Sequence, residues 1–215
     1  MTMFGLTGSQ KNSEKANKPA HPRAVTPLFE FGSLLPAVDG LLVSLRAMPD
    51  NPSKLPGFIF REPDDDGDRK MLTDIHEQGW HVVCIPDDDE GPGFCFTVGV
   101  YLRTLQPEIL IMGVPIEPTH RVLNAIAEYL MAGGTITPEE RYPDFVDGRE
   151  VLFRPIHQTQ FHEYLGCANW FYRRSGVQFP AFQCVWPDVH GRFPHEEGFD
   201  SRFDGRQIDL SLPRP

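Results

Sequence analysis

The 215-residue sequence lacks the long apolar runs and paired cysteines that would place it in several common protein classes. No stretch approaches the roughly 20 apolar residues of a membrane-spanning helix, so no membrane association is expected. The N-terminus has no apolar core of the length that a secretory signal needs, and a cytoplasmic location is expected. The four cysteines form no C-x-x-C pair, and they are expected to be thiols packed like small hydrophobic side chains.

Positive charge is also scarce, because 20 Lys and Arg stand against 30 Asp and Glu, for a formal net charge of −10. An acidic surface repels phosphate backbones, so nucleic acid is not an expected partner. Neither G-x-G-x-x-G nor G-x-x-x-x-G-K-[ST] occurs, and no cofactor is predicted. The expected partner is a protein or a small molecule of unknown identity.

The chain divides by composition into three parts. Residues 1–26 are polar and cannot offset the entropy of ordering, which predicts a disordered tail. Residues 27–67 are more apolar but interrupted by prolines, which is typical of an appended segment. Residues 68–215 carry the regular patterns of one α+β domain.

Strand-like runs occur at 80–85, 94–100 and 108–114, each bounded by Pro, Gly or Asp. The connections of about seven or eight residues are too short for the crossover of a parallel pair, so these strands are predicted to be antiparallel. Helical patterns and further strands follow later in the chain, among them a possible last strand at QIDL (207–210). The sequence predicts a mixed, mainly antiparallel sheet of about five strands with two or three packing helices.

Several short motifs are similar to those of a bacterial family, domain of unknown function 4262. The resemblance rests on Gly79-Trp80, FTVGV (96–100), Pro107-Glu108, Leu123-Asn124 with its helix to Gly133-Gly134, and FQCVWPD (182–188) with Gly191 and Pro194. It covers about residues 68–212 and implies a bacterial, cytosolic, single-domain protein without an activity to carry over. Where the family usually has an aromatic residue after the final proline, this chain has His195.

The stretch WPDVHGRFPHEEGF places possible metal ligands close together in sequence, with His157 and His162 nearby. However, the spacings match no metal signature, such as H-E-x-x-H. Short Asp and Gly residues are also what a strand-to-loop turn needs for local hydrogen bonding. The stretch is therefore interpreted as a strand that ends in a polar turn, and no metal site is predicted.

Polar residues within otherwise apolar strands give the remaining signal. Thr97, Glu108, Gln183 and Asp188 cost about 1–3 kcal/mol each if they are buried without partners. Either they bond to one another and fix strand register, or they line a shared pocket. Tryptophan side chains could form the walls of such a pocket, and Trp80 and Trp186 join the candidate binding residues.

Two functions from different classes remain open. The first is a binding or interaction module with a polar-lined groove that contains the candidate binding residues. The alternative is a hydrolase-type enzyme in which Asp188 works with His162 or His190 in proton transfer, with or without a metal. No sequence motif decides whether the protein is an enzyme.

Overall fold

The computed structural model describes residues 53–146 and 149–214. The predicted tail and most of the predicted appended segment lie outside the described residues, and their boundaries stay predictions. The described end of that segment packs on the rest of the chain. Phe58 and Phe171 have ring centroids 5.1 Å apart, and the N–H of Lys54 donates to the carbonyl of Leu102 at 2.9 Å.

The first described helix, α1 (Asp66–Glu77), begins at the last residue of the acidic run DDD (64–66). The carboxylate of Asp65 caps it by accepting a hydrogen bond from the N–H of Asp68 at 2.8 Å, which satisfies an open donor of the first turn. The helix is followed by Gly79, whose φ of +105° suits the turn into the first strand.

Six strands form one mixed sheet in the order β1-β2-β3-β6-β5-β4. Every neighbouring pair is antiparallel except the central pair of β3 and β6, which is parallel. The predicted α+β class with a mainly antiparallel sheet is confirmed, and the strand count is six instead of about five. The strands are β1 (His81–Ile85), β2 (Phe94–Val98), β3 (Glu108–Met112), β4 (Arg141–Val146), β5 (Arg149–Pro155) and β6 (Ala181–Val185).

Four more helices follow α1 in the described residues: α2 (Val100–Thr104), α3 (Ile116–Met131), α4 (Phe161–Tyr164) and α5 (Gly166–Arg173). The count exceeds the predicted two or three because α2 and α4 have only five and four residues. Single turns of this length leave no apolar period in a sequence. Within the described ranges, no helix is long and apolar enough to cross a membrane.

The sheet separates two hydrophobic cores. On one face, α3 covers the sheet with Leu123, Ile126 and Leu130, which pack with β3 and β5 side chains. On the other face, α1, α2 and α5 contribute Ile75, Leu102, Phe171 and their neighbours. Alternate side chains of β3 serve both cores, because neighbouring residues of a strand point to opposite faces.

A disulfide between Cys84 and Cys95 corrects the expectation of four thiols. The two residues lie directly opposite each other on β1 and β2, with Cα atoms 4.1 Å apart. The sequence could not predict this disulfide, since the cysteines are eleven positions apart and only the register of the hairpin brings them together. Cys167 and Cys184 are free thiols, and burial raises the pKa of both.

The stretch QIDL (207–210), which suggested a possible last strand, has no strand pairing in the structure. The side chain of Gln207, instead of its backbone, bonds to the chain after β6. Its Oε1 accepts from the N–H of Trp186 at 3.0 Å, and its Nε2 donates to the Trp186 carbonyl at 2.8 Å. The amide of Gln183 holds the same stretch from β6. Its Nε2 donates to the Ile208 carbonyl, and its Oε1 accepts from the N–H of Leu210.

Candidate functional site

Glu108 and Thr97, two of the predicted binding residues, meet in a buried network at one end of the central strands. The hydroxyl of Thr97 donates to Oε2 of Glu108 at 2.6 Å and accepts from the N–H of Ile109 at 2.9 Å. The N–H of Gly99 and the hydroxyl of Tyr172 donate to Oε1 of Glu108 at 2.8 and 2.5 Å. A further N–H, from Tyr101, reaches the same oxygen at 3.1 Å.

Burial dominates the ionisation of Glu108, whose side chain is fully enclosed. Loss of hydration raises the pKa of Glu108, although the four donors around its carboxyl group favour the charged form. Burial and the neighbouring carboxyl group hold the pKa of Tyr172 well above its usual value. The network binds α2 and α5 to the sheet and leaves no open oxygen for a ligand.

Gly99 shows why a glycine occupies this turn. Its φ is +104°, and a Cβ atom there would lie 2.8 Å from the carbonyl oxygen of Gly79. Only glycine takes this backbone conformation without strain and lets its N–H reach Glu108. The motif FTVGV is thereby connected to Glu108 by hydrogen bonds.

Trp80, another predicted binding residue, is buried in the core under α3. Its indole N–H donates to Oδ1 of Asn124 at 2.8 Å, and the amide of Asn124 is 3.0 Å from Nδ1 of His120. Trp80 therefore connects β1 to α3 and does not line a described cavity.

Asp188 organises the loop that follows β6. Its Oδ1 accepts from the N–H groups of His190 and Arg192 at 2.7 and 3.0 Å. Its Oδ2 accepts from Nε of Arg192 and from the N–H of Asp200, both at 3.0 Å. Burial alone would raise the pKa of Asp188, but these hydrogen bonds outweigh it and lower the pKa to about 2.

The two histidines proposed as partners of Asp188 are both exposed. His190 reaches Asp188 with its backbone N–H, and His162 lies on α4. His195 stacks on Phe193 with ring centroids 6.0 Å apart. Over residues 53–146 and 149–214, no group of three or more His, Cys, Asp or Glu could hold a metal ion.

One histidine–carboxylate contact escaped the sequence analysis. Nδ1 of His81 lies 2.6 Å from Oδ2 of Asp74, whose carboxylate also accepts from Nζ of Lys70 at 2.8 Å. Burial lowers the pKa of His81, although the carboxylate opposes that change. The contact joins α1 to β1, and only the turn between these elements could have indicated it.

Gln183 lines a groove of about 290 Å³ on the α1 side of the sheet, together with Arg154, His195 and Asp209. The side chains of Gln183, Arg154 and Asp209 already have partners within the protein. Nε of Arg154 donates to Glu139 at 3.0 Å, and its Nη1 is 3.5 Å from Oδ2 of Asp209. Because the amide of Gln183 holds the C-terminal stretch, this groove keeps few donors or acceptors for a ligand.

A cavity of about 300 Å³, here called the apolar pocket, lies on the α3 side of the sheet. Its floor consists of Ile111 from β3, Val151 from β5, Cys184 from β6 and Trp186, which follows β6. Its walls are Pro118 and Val122 of α3 and, beyond β6, Val189 and Phe203; Arg149 lies at its rim.

The apolar pocket lies beside the ends of the two parallel strands. Pairing between β3 and β6 ends at Leu110 and Gln183, and the following residues Ile111 and Cys184 line the pocket. The indole of Trp186 connects the two strand ends, since its N–H donates to the carbonyl of Met112 at 2.8 Å. In open sheets, the crevice beyond the carboxyl ends of parallel strands is a frequent ligand site.

Trp186 is thus the one predicted binding residue that lines the apolar pocket, and the sequence analysis missed Arg149, Val189 and Phe203. These three residues come from separate parts of the chain and share no motif. The only available signal was an apolar residue, Val189, within the polar stretch after Trp-Pro-Asp; it is 50% exposed.

Comparison with known proteins agrees with the resemblance seen in the sequence. A family model described as "Domain of unknown function (DUF4262)" matches residues 74–200. No curated protein and no solved structure matches the chain.

Proposed function

We propose that this chain, which belongs to the DUF4262 family, is a binding module that takes a small apolar molecule into the apolar pocket. One observation carries the proposal: the cavity of about 300 Å³ has side chains from β3, β5, β6 and α3 around it, and most of them are hydrocarbon. This volume is at the lower end of the range for small-molecule sites.

Thr119 and Trp186, two polar residues that line the apolar pocket, already have hydrogen-bond partners. The hydroxyl of Thr119 donates to the carbonyl of Pro115 at 2.9 Å, and the indole N–H of Trp186 donates to Met112. A ligand body that enters between Val122 and Val151 would therefore meet hydrocarbon and gain about 25 cal/mol for each Å² of apolar surface removed from water. This favours an apolar ligand over a sugar or a nucleotide.

The polar-lined groove expected from the sequence has weaker support as the binding site, because the side chains of Gln183 and Arg154 are engaged within the protein. A bacterial setting without a nucleic-acid partner remains part of the proposal, and the net charge of −10 supports the last point. The disulfide between Cys84 and Cys95 counts against the cytoplasmic location expected from the sequence, because disulfides persist mainly in oxidising compartments.

The hydrolase alternative has less support. Four donors occupy the carboxylate of Asp188, so it could accept a proton only by giving up bonds that hold its own loop. His190 contacts Asp188 through its backbone N–H, so these two residues do not form the imidazole–carboxylate pair that proton transfer would need.

Titration with 1-octanol, followed by the indole N–H signals in a nitrogen–proton correlation spectrum, tests the proposal. The chain has three tryptophans, and only Trp186 lines the apolar pocket. We expect the Trp186 signal to shift with saturation, while the signals of Trp80 and Trp170, bonded to Asn124 and Asp64, stay in place.

A variant that fills the apolar pocket provides the control. Val122 is a half-buried wall residue on α3, and Val122→Trp should abolish the shift of the Trp186 signal. Glu128→Trp adds the same side chain at an exposed position of α3 and should leave it unchanged. Equal shifts of all three native indoles, or binding that survives Val122→Trp, would contradict the proposal.

A further inference from the structure

Arg149 stands at the rim of the apolar pocket and differs from the other arginines of this part of the fold. Arg141 pairs with Glu150 at 3.2 Å and Glu196 at 2.6 Å, and Arg154 pairs with Glu139 at 3.0 Å. Within the part of the chain that the structure describes, Arg149 has no carboxylate partner. Its Nη1 donates to the backbone carbonyl of Asp188 at 2.8 Å.

Among the described residues, the carboxylates of Glu150 and Asp188 do not pair with Arg149. Glu150 is engaged by Arg141, and the carboxylate of Asp188 is enclosed by its own loop, so that only its carbonyl oxygen faces the guanidinium. This bond holds one end of the guanidinium of Arg149, and no other residue that the structure describes accepts from its remaining donors. A guanidinium has five N–H donors in a planar fork that matches a carboxylate in two parallel hydrogen bonds.

We infer that the ligand of the apolar pocket is a free monocarboxylate with an apolar body, whose carboxylate binds Arg149. The inference rests on the proposed function and adds the ligand's chemical class. The hydrocarbon part would lie against Val122, Val151 and Trp186, and the charged end would stay at the rim beside water. An acid buried more deeply would meet no cation inside the cavity.

The cavity volume limits the size of this acid. About 300 Å³ corresponds to roughly ten water molecules at their share of liquid volume. A straight-chain acid of about eight carbons has a similar number of non-hydrogen atoms, whereas a long-chain fatty acid has more than the cavity can hold. Octanoate is therefore the probe of choice.

Calorimetric titration with octanoate and with 1-octanol separates the two proposals. The probes share one chain length and differ in charge. We expect wild-type protein to bind octanoate about tenfold more tightly than 1-octanol, in keeping with a charge-assisted hydrogen bond at a partly exposed site. Arg149→Met should remove this preference and leave the affinity for 1-octanol unchanged.

Two further variants control for charge and folding. Arg149→Lys keeps the positive charge and should retain part of the preference for octanoate. Arg174→Met removes one positive charge from the exposed end of α5 and should leave both affinities unchanged. The melting temperature of each variant shows whether the loop of Asp188 stays folded without the Arg149 bond.

The possible outcomes distinguish failure of the inference from failure of the proposed function. If wild-type protein binds both probes equally, or if Arg149→Met keeps the preference for octanoate, the carboxylate inference is overturned while the apolar pocket stands. If neither probe binds, both fall. Loss of the preference in Arg149→Met, with 1-octanol binding intact, supports both.

Discussion

The carboxyl group of Glu108 has four donors around it, and this number governs substitutions nearby. Removal of the carboxyl group would leave two hydroxyls and two backbone N–H groups without their partner. Removal of one donor is a milder change, because the other three remain. Substitutions in this network therefore report on protein stability and not on ligand binding.

Tyr172→Phe should lower the free energy of unfolding by about 1–3 kcal/mol, because the lost hydroxyl both donates to Glu108 and accepts from the N–H of Leu102. Urea unfolding followed by fluorescence measures the change. Tyr164→Phe is the matched control, since the Tyr164 hydroxyl has no hydrogen-bond partner among the residues described. Equal stability of the two variants would contradict the role given to Tyr172.

Asp188→Asn should lower the melting temperature near pH 7. An amide nitrogen in place of Oδ2 would face Nε of Arg192 and the N–H of Asp200, which now donate hydrogen bonds to Oδ2. The pKa of Asp188 is lowered from 3.8 to about 2, so its contribution to stability is complete above 3.8 and is lost as the pH falls through about 2. The difference between wild type and variant should therefore shrink over this range. Melting curves at each pH measure it, and a constant difference would show that Asp188 does not titrate there.

Individual polar residues were predictable as a set but not in their contacts. A polar side chain within an apolar strand must find a partner, which correctly brought Thr97 and Glu108 to attention. Tyr172, the third partner, gave no signal, because a tyrosine on a helix resembles any core aromatic. Arg149 was missed since its significance depends on a cavity formed by distant residues.

At the scale of elements, the short connections correctly predicted that β1, β2 and β3 are antiparallel neighbours. The parallel contact between β3 and β6 could not be predicted, because many residues and two strands intervene between them. The C-terminal stretch misled for a different reason. It has the composition of a strand, yet the side chains of Gln183 and Gln207 occupy the backbone groups that a strand would use.

The disulfide of the β1–β2 hairpin should stabilise the protein by about 2–3 kcal/mol, as the cysteines are eleven residues apart in sequence. Reduction should lower the urea midpoint of wild-type protein but leave that of Cys84→Ala/Cys95→Ala unchanged. A thiol titration in urea without reductant should count only Cys167 and Cys184. Four reactive thiols would instead restore the expectation drawn from the sequence.

At the scale of the whole molecule, the sheet is a barrier between two cores of different character. The face under α1 and α5 contains many aromatic contacts and the Glu108 network, whose side chains it encloses completely. The face under α3 leaves space where β4, β5 and β6 reach beyond the helix. The proposed binding site and the network that holds the fold together are therefore on opposite sides, and ligand affinity can change without loss of stability.

The parallel pair at the centre is the seam of the sheet. On one side of it β1 pairs with β2 and β2 with β3. On the other side β4 pairs with β5 and β5 with β6. Each of these two trios of strands can therefore assemble from strands that are consecutive in the chain. Within the sheet only this seam joins strands from distant parts of the chain, so we expect closure between the trios to be the slow step of sheet formation. A molecule bound next to Trp186 would contact both trios at once and would hold them together across the seam.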